Sequence, residues 1–296
     1  MKEVSKTLVL GGGGFLGSYF RKVIGNNAII HMTKSSNILD VDNYSRFEID
    51  DKNKILNYLK SKKIDTVINC IAMADIEECE KKPKLANWIN SELPSLVSTY
   101  SSDNGLKLVH ISTDAVFSGE TSYNHENSIA NPKSIYGKTK LLGEKNVLRN
   151  CPSAIVCRVN FYGYSKKKKS LFKFFYENLK NGTAITGFQD VHFTPLYAAD
   201  TVRIVMELID RNQKGLFHVV GDERISKFEF GVMIAELIGV SKDKILPGNL
   251  SQSEYARFRT LDLSLSNDKI KNLNITVPNI ESGLKSLISE LEKEVE

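Results

Sequence analysis

In the stretch SIYGKTKLLGE, Tyr136 and Lys140 stand four residues apart. On a helix that spacing puts both side chains on one face. A free phenol titrates near pH ~10, and a neighbouring ammonium is expected to lower that value by favouring the phenolate. A phenol so placed can protonate a carbonyl oxygen as hydride reaches the carbon, or remove the proton in reverse. Upstream, VHISTDAVFSG puts Thr113 at the end of an expected strand. There its hydroxyl could hydrogen-bond the same oxygen; the alternative is a strand-end threonine bonding its own turn.

A second chemical signal lies at the other end of the same layer, in TLVLGGGGFLGSYF, Thr7 to Phe20. From Gly12 it fits Gly-x-Gly-x-x-Gly, and from Gly11 it fits Gly-x-x-Gly-x-x-Gly; Gly14 and Gly17 serve both frames. A buried strand precedes the glycines and a helix follows. Backbone N–H groups can therefore approach a pyrophosphate with the positive helix end behind them. Gly11, Gly14 and Gly17, with Phe15 and Leu16 opening the helix, are the candidate dinucleotide contacts. An acid for the ribose hydroxyls is expected at the end of the second strand. Thr33, Lys34 and Ser35 stand there instead, and the nearest acid is Asp40. Lys34 would attract a 2′-phosphate, so NADPH is favoured, with NADH left open.

Both signals need a scaffold, and the chain supplies one. Strand patterns KTLVL, AIIHM, RFEID, IDTVINCIA, LKLVHIST and SAIVCRV alternate with helical ones, among them GFLGSYFRKVIG, KNKILNYLKSKK, YGKTKLLGEKNVLRN and a long helix around Trp88. That order predicts an α/β fold, a Rossmann-type doubly wound parallel sheet with right-handed crossovers. After Gly163 the rhythm loosens into a smaller C-terminal α/β substrate lobe. The expected domains are 1–163, dinucleotide-binding, and 164–296, mainly substrate-binding, with some segments returning to the first.

Composition excludes other classes. The 41% hydrophobic and 25% charged residues suit a globular protein. The net charge of +5 is scattered, and its one dense run, Lys166 to Lys169, reads as a solvated loop. No nucleic-acid partner is expected, since a basic face with interleaved aromatics is missing. The four cysteines, Cys70, Cys79, Cys151 and Cys157, form no Cys-x-x-Cys pair, so no metal is expected; Cys70 and Cys157 read as reduced residues of buried strands. No apolar run has the length of a signal peptide or membrane span, which points to a cytoplasmic protein without membrane contact.

Together VLGGGGFLGS, STDAVFSG and YGKTKLLGE resemble the extended short-chain dehydrogenase/reductase family, within it the dTDP-4-dehydrorhamnose reductase branch. VINCIAMADIEECEKKPKLANWINSELP, CRVNFYG, GFQDVHFTPLYAAD and ARFRTLDLSLSNDKI are similar to further stretches of that branch, so the likeness spans nearly the whole chain. The resemblance implies a catalytic set of Thr113, Tyr136 and Lys140. Tyr136 would be the acid, Lys140 would also hold the nicotinamide ribose, and Thr113 would orient the substrate carbonyl. It selects the wider glycine frame, leaving Gly12 and Gly13 as variable positions. It also implies adenine contact by Asp50, backbone approach of Ile71 and Ala72 to the cofactor, and a substrate site including Met73, Asn160 and Arg257. Asn90 falls where the family often supports a proton relay, a helix-packing role being the alternative.

The implied reaction is NADPH-dependent reduction at C4 of a nucleotide-linked 4-keto-6-deoxyhexose, for surface-polysaccharide synthesis, by an enzyme for which a homodimer is compatible with the family. Ala115 replaces the branch's usual Tyr, Phe258 its Pro, and Phe161 stands nearest its Trp, which leaves the sugar open. Two other readings stand beside this one. One is an epimerase or dehydratase on the same scaffold, although the dehydratase Glu after Asp114 is missing. The other is a non-catalytic nucleotide-binding regulatory subunit.

Overall fold

The four residues Thr7–Leu10 form β1 and are all buried, as expected of a strand covered on both faces. This computed structural model describes residues 6–32, 44–46, 48–49, 51–166, 169–252 and 258–293. Thr33, Lys34, Ser35, Asp50 and Arg257, singled out from the sequence, lie outside them.

The glycines end β1, and α1 (Phe15–Ile24) follows, closed by Gly25. Next come β2 (Ala28–Met32), β3 (Tyr44–Arg46), α2 (Lys52–Lys60) and β4 (Thr66–Asn69). Asp51 caps α2 by accepting from the Asn53 N–H at 2.7 Å. Then α3 (Ile76–Lys81), α4 (Pro83–Asn87), α5 (Leu93–Asp103), β5 (Lys107–Thr113), α6 (Ile135–Asn150) and β6 (Ile155–Val159) complete the run.

Seven strands form one sheet, in the order Gly215–Val219, β6, β5, β4, β1, β2, β3. β2 and β4 flank β1 in parallel, with β3 and β5 parallel outside them. This is the expected Rossmann-type α/β sheet. Strand order reverses between β1 and β4, and in such sheets ligands bind at the carboxyl ends of the strands beside that switch point. Leu8, Leu10, Val67, Leu108 and Val156 of the sheet pack with Leu59 of α2 and Val97 of α5 in one apolar cluster.

Two local expectations are corrected. The third strand was expected over Arg46–Asp50 but pairs with β2 at Tyr44–Arg46. An edge strand has a neighbour on one side only, so its own residues fix its register weakly. The long helix around Trp88 is broken into α4, a π-helical turn at Trp88–Glu92 and α5. Pro94 has no N–H to give to the Asn90 carbonyl four residues back, and the Leu93 N–H bonds Trp88 O instead. The Asn90 carbonyl lies where a Cβ on Gly143 of α6 would overlap it, so α6 can approach this closely only with glycine there.

The chain forms two compact units. One comprises Met1–Val116, Ser134–Arg158 and Val205–Phe217, and the other Phe117–Lys133, Val159–Ile204 and His218–Glu296. The second unit thus takes 117–133 and 159–163 from the expected first domain, and the first takes 205–217 from the expected second. The second carries short strand pairs, Phe161–Tyr162 with Leu196–Tyr197 and Ile185–Phe188 with Ile245–Gly248, all parallel. Its core is aromatic: Phe230 meets Tyr162 at 5.2 Å and Phe193 at 5.5 Å, both edge-on.

Candidate active site

At the switch point the glycine turn is built from space. Gly11 has φ 79°, and a Cβ on it would sit 3.1 Å from the Ile71 backbone nitrogen, so the turn after β1 abuts the chain leaving β4. A Cβ on Gly17 would overlap the Gly11 carbonyl oxygen, which ties the first turn of α1 to the end of β1. Gly12 is more constrained than the sequence suggested. Its N–H donates to His31 O at 2.9 Å, and a Cβ would lie 2.6 Å from Ile30 Cγ2. A side chain at position 12 would therefore have to displace Ile30, whereas Gly11 is held to glycine by its positive φ.

The N-cap of α1 is Gly14, with no side chain to cap the helix and no acid in its first turn. The first-turn amides of Phe15, Leu16 and Gly17 and the positive helix end therefore suit a phosphate group. The residues present fit a dinucleotide pyrophosphate.

The reacting end stands on β5 and α6. Ser134 caps α6 by accepting from the Gly137 N–H at 3.1 Å, and Glu80 of α3 accepts from the Ile135 N–H at 2.7 Å. These bonds fix the turn that carries Tyr136. Desolvation pushes the Tyr136 pKa up to about 12, with Asp114 and Cys79 adding to the rise and Thr113 opposing it. Burial thus opposes the lowering expected from a neighbouring ammonium, because the phenolate is costly to remove from water. At neutral pH the group is a phenol, a proton donor.

Thr113 ends β5 as expected. Its Oγ1 donates to Asp114 Oδ1 at 3.1 Å and accepts from the Ala115 N–H at 3.2 Å. The local turn bonds, the alternative to the catalytic reading, are therefore present.

Lys140 is almost fully buried, 1% exposed. Its Nζ donates to Ile111 O at 2.6 Å and lies 3.4 Å from His110 Nε2. Desolvation lowers its pKa to about 8, against the pull of Glu144 and Cys70. One turn along α6, Glu144 accepts from Ser112 Oγ at 2.5 Å and from Arg158 Nε and Nη2 at 3.0 and 2.8 Å. That buried forked pair holds α6 to β5 and β6.

Asn90, on the π-helical turn, spends its whole amide. Oδ1 accepts from the Met73 N–H at 2.9 Å, while Nδ2 donates to Met73 O at 3.0 Å and Thr139 Oγ1 at 3.1 Å. It clamps the segment carrying Ile71, Ala72 and Met73 to the helix of Tyr136 and Lys140. Ile71 is itself held, its N–H donating to Asn69 Oδ1 at 3.1 Å. Asn160 belongs to the second unit, where its carbonyl accepts from the Leu196 N–H at 3.0 Å.

All four cysteines are free. Cys70 follows β4 rather than lying within it, and burial pushes its thiol up to about 12. Among the described residues no group of three or more His, Cys, Asp or Glu could hold a metal, and no helix is long and apolar enough to cross a membrane.

Sequence reasoning missed Asn69, His110 and Glu80. A signal for His110 existed. His110 and Ser112, two apart on β5, face Lys140 and Glu144, four apart on α6. Two strand residues span about 6.6 Å and four helical residues about 6 Å, so polar pairs at these spacings can meet rung for rung.

A glycine turn at the switch point of a doubly wound sheet, with Thr, Tyr and Lys gathered on the fifth strand and the helix after it, defines an extended short-chain dehydrogenase/reductase. Within that class the chain belongs to the RmlD substrate binding domain family, which it matches over residues 5–293. It is 30% identical over 247 residues to the probable low-salt glycan biosynthesis reductase Agl14 of Haloferax volcanii, covering 81% of this chain and 82% of that one. It is also 26% identical over 242 residues to the methionine adenosyltransferase 2 subunit beta of Danio rerio, covering 75% and 74%. Among solved structures, a dTDP-4-dehydrorhamnose reductase from Clostridium acetobutylicum superposes with a TM-score of 0.85 at 27% identity, covering 97% and 99% of the two chains. The dTDP-4-dehydrorhamnose reductase of Bacillus anthracis in complex with NADP has a TM-score of 0.83 at 22% identity and the same coverages; at that identity the likeness is one of fold.

Proposed function

We propose that this chain reduces the C4 keto group of a nucleotide-linked 4-keto-6-deoxyhexose with NADPH, as a dTDP-4-dehydrorhamnose reductase does. The observation that carries this reading is a phenol kept protonated on the same helix as a buried lysine, beside the switch point where the glycine turn receives a dinucleotide.

NADPH, when bound, supplies the hydride. Gly11, Gly14, Phe15, Leu16 and Gly17 would hold its pyrophosphate, and Ile71 and Ala72 would line it by backbone. From the sequence, Lys34 with Thr33 and Ser35 would attract the 2′-phosphate, and Asp50 would contact the adenine. Tyr136 holds a proton at its hydroxyl and gives it to the C4 oxygen as that oxygen gains charge. Thr113 would orient the C4 carbonyl, and Lys140, one turn along α6, would hold the nicotinamide ribose. Met73, held by Asn90, borders the sugar; Asn160 and Arg257 are assigned to the sugar or its diphosphate. The product would feed surface-polysaccharide assembly.

A turnover screen of nucleotide-linked 4-keto-6-deoxy sugars, following NADPH oxidation, tests the reading. One substrate should turn over, and Tyr136→Phe should cut kcat about 1000-fold, within the range for a lost general acid. Undiminished turnover in Tyr136→Phe would remove Tyr136 from the chemistry. The likeness to the methionine adenosyltransferase 2 subunit beta carries the second reading, a regulatory subunit; NADPH binding without turnover of any such sugar would favour it.

A further inference from the structure

A chain of buried hydrogen bonds runs from the end of β4 to Lys140, and its direction is fixed at each link. The Ile71 N–H donates to Asn69 Oδ1 at 3.1 Å. That orients the Asn69 amide, so its Nδ2 faces His110 Nδ1 at 3.2 Å. An amide NH2 only donates, so Nδ1 must accept. His110 is fully buried, and desolvation, reinforced by the Lys140 charge, holds its pKa well below the ordinary value. The neutral ring has one proton, and Asn69 leaves it only Nε2. That nitrogen lies 3.4 Å from Lys140 Nζ.

A donor therefore faces the lysine nitrogen. A free amine can accept from it through its lone pair; an ammonium has none and meets N–H against N–H. We propose that His110 is a positioning residue whose Nε2–H, imposed by Asn69, is aimed at Lys140 Nζ and favours its amine form over its ammonium. The lysine thereby becomes a group that can lose and regain a proton beside Tyr136, where an exposed lysine would be a fixed cation. Its use in catalysis rests on the reductase reading; the tautomer does not, and is measured without cofactor or substrate.

The group nearest to Lys140 Nζ is Ile111 O at 2.6 Å, which can accept from the amine as from the ammonium and leaves the amine lone pair for His110. Glu144 on α6 favours the ammonium, but its carboxylate is shared with Arg158 of β6 and Ser112 of β5. Cys70, after β4, is an uncharged thiol with its pKa pushed up to about 12. Tyr136 on α6 is likewise neutral, and Asp114 and Cys79 act on Tyr136. Glu80 of α3 is taken by the Ile135 N–H.

Nitrogen-15 NMR of the full chain labelled at histidine reads the tautomer directly. The His110 signal, assigned by its loss in His110→Gln, should show a protonated Nε2 and a bare Nδ1, unchanged between about pH 6 and 8. Carbon-13 NMR of labelled lysine should show Lys140 titrating near the value of about 8. In His110→Gln the amide can turn its oxygen to Lys140, and the midpoint should rise by at least one pH unit. A proton on Nδ1, or a charged ring, in the unaltered protein would overturn the proposal even if the variant failed to fold. So would an unmoved lysine midpoint in folded His110→Gln, the result for a histidine that only fills the core. Loss of 4-keto-sugar turnover with the Nε2–H tautomer intact would count against the reductase reading instead.

Discussion

The two ends of the nucleotide-binding layer are made from opposite materials. At the turn after β1 there are almost no side chains, and what matters is how closely backbone approaches backbone, Gly17 against Gly11 and Gly11 against Ile71. At β5 and α6 the backbone is ordinary, and the site consists of buried polar side chains, His110, Lys140, Glu144 and Arg158, each with named partners. The first end should therefore fail by bulk and the second by charge. Substitutions can separate the two modes.

The largest effect is expected at Gly17. A methyl group there overlaps the Gly11 carbonyl and crowds Gly12 Cα at 2.8 Å, and no rotamer change relieves a backbone clash. Gly17→Ala should weaken NADPH binding at least 100-fold, about 2.7 kcal/mol, and lower the melting temperature, with the Tyr136 environment unchanged. Fluorescence titration with NADPH measures it. Affinity within threefold of the parent would mean that this turn does not hold the cofactor.

Lys140→Met probes the other end and should separate stability from function. The lysine's pKa falls from 10.5 unfolded to about 8 folded, so below pH ~8 the fold carries the cost of a buried ammonium, on the order of 3 kcal/mol. Between about 8 and 10.5 the unfolded chain holds a proton the folded chain has released, so parent stability rises with pH across that window. Methionine removes the cost but leaves Ile111 O without its donor, about 1–2 kcal/mol. The variant should thus be inactive yet about 1–2 kcal/mol more stable at pH 7, and without the rise. Urea unfolding at pH 7 and 9.5 decides, and a destabilised variant at pH 7 would show that Lys140 is held by more than it costs.

The same contrast governs what was legible in the sequence. β1, β2, α1, α2, β5 and α6 follow from apolar runs, helical periodicity and punctuating glycines, because local patterning and the final packing agree there. The glycines and the Tyr136–Lys140 spacing were visible because they are spacings along one chain. The direction of a hydrogen bond was not. His110 reads as one polar residue in an apolar strand until α6 is laid across it, and only the Ile71 N–H decides which way Asn69 turns. Asn90 was left between relay and packing; both ends of its amide turn out to be spent on Met73 and Thr139. Pro94 did announce the break in the long helix, through the N–H it lacks, but a periodic reading passes over it. Nor can a sequence tell why a glycine is needed, which is why Gly12 looked free.

Gly12 gives the most discriminating test, read from the smallest quantity, a coupling energy, because its obstacle is a side chain. A Cβ there meets Ile30 Cγ2 at 2.6 Å, while its nearest backbone atom, Val9 O, stays at 3.4 Å. Gly12→Ala should cost about 1–3 kcal/mol by overpacking, and Ile30→Ala about 2–5 kcal/mol by cavity formation. In the double variant the new methyl occupies part of the space the isoleucine left, so the two costs should fall short of adding by about 1 kcal/mol or more, the coupling expected of residues in contact. No comparable partner exists for Gly17, whose obstacle is the Gly11 carbonyl, so Gly17→Ala combined with Ile30→Ala should be simply additive. Urea unfolding of the two double-mutant cycles measures both. Equal coupling in the two cycles would mean that the turn yields as one piece, and the distinction between a turn limited by backbone and one limited by a side chain would be lost.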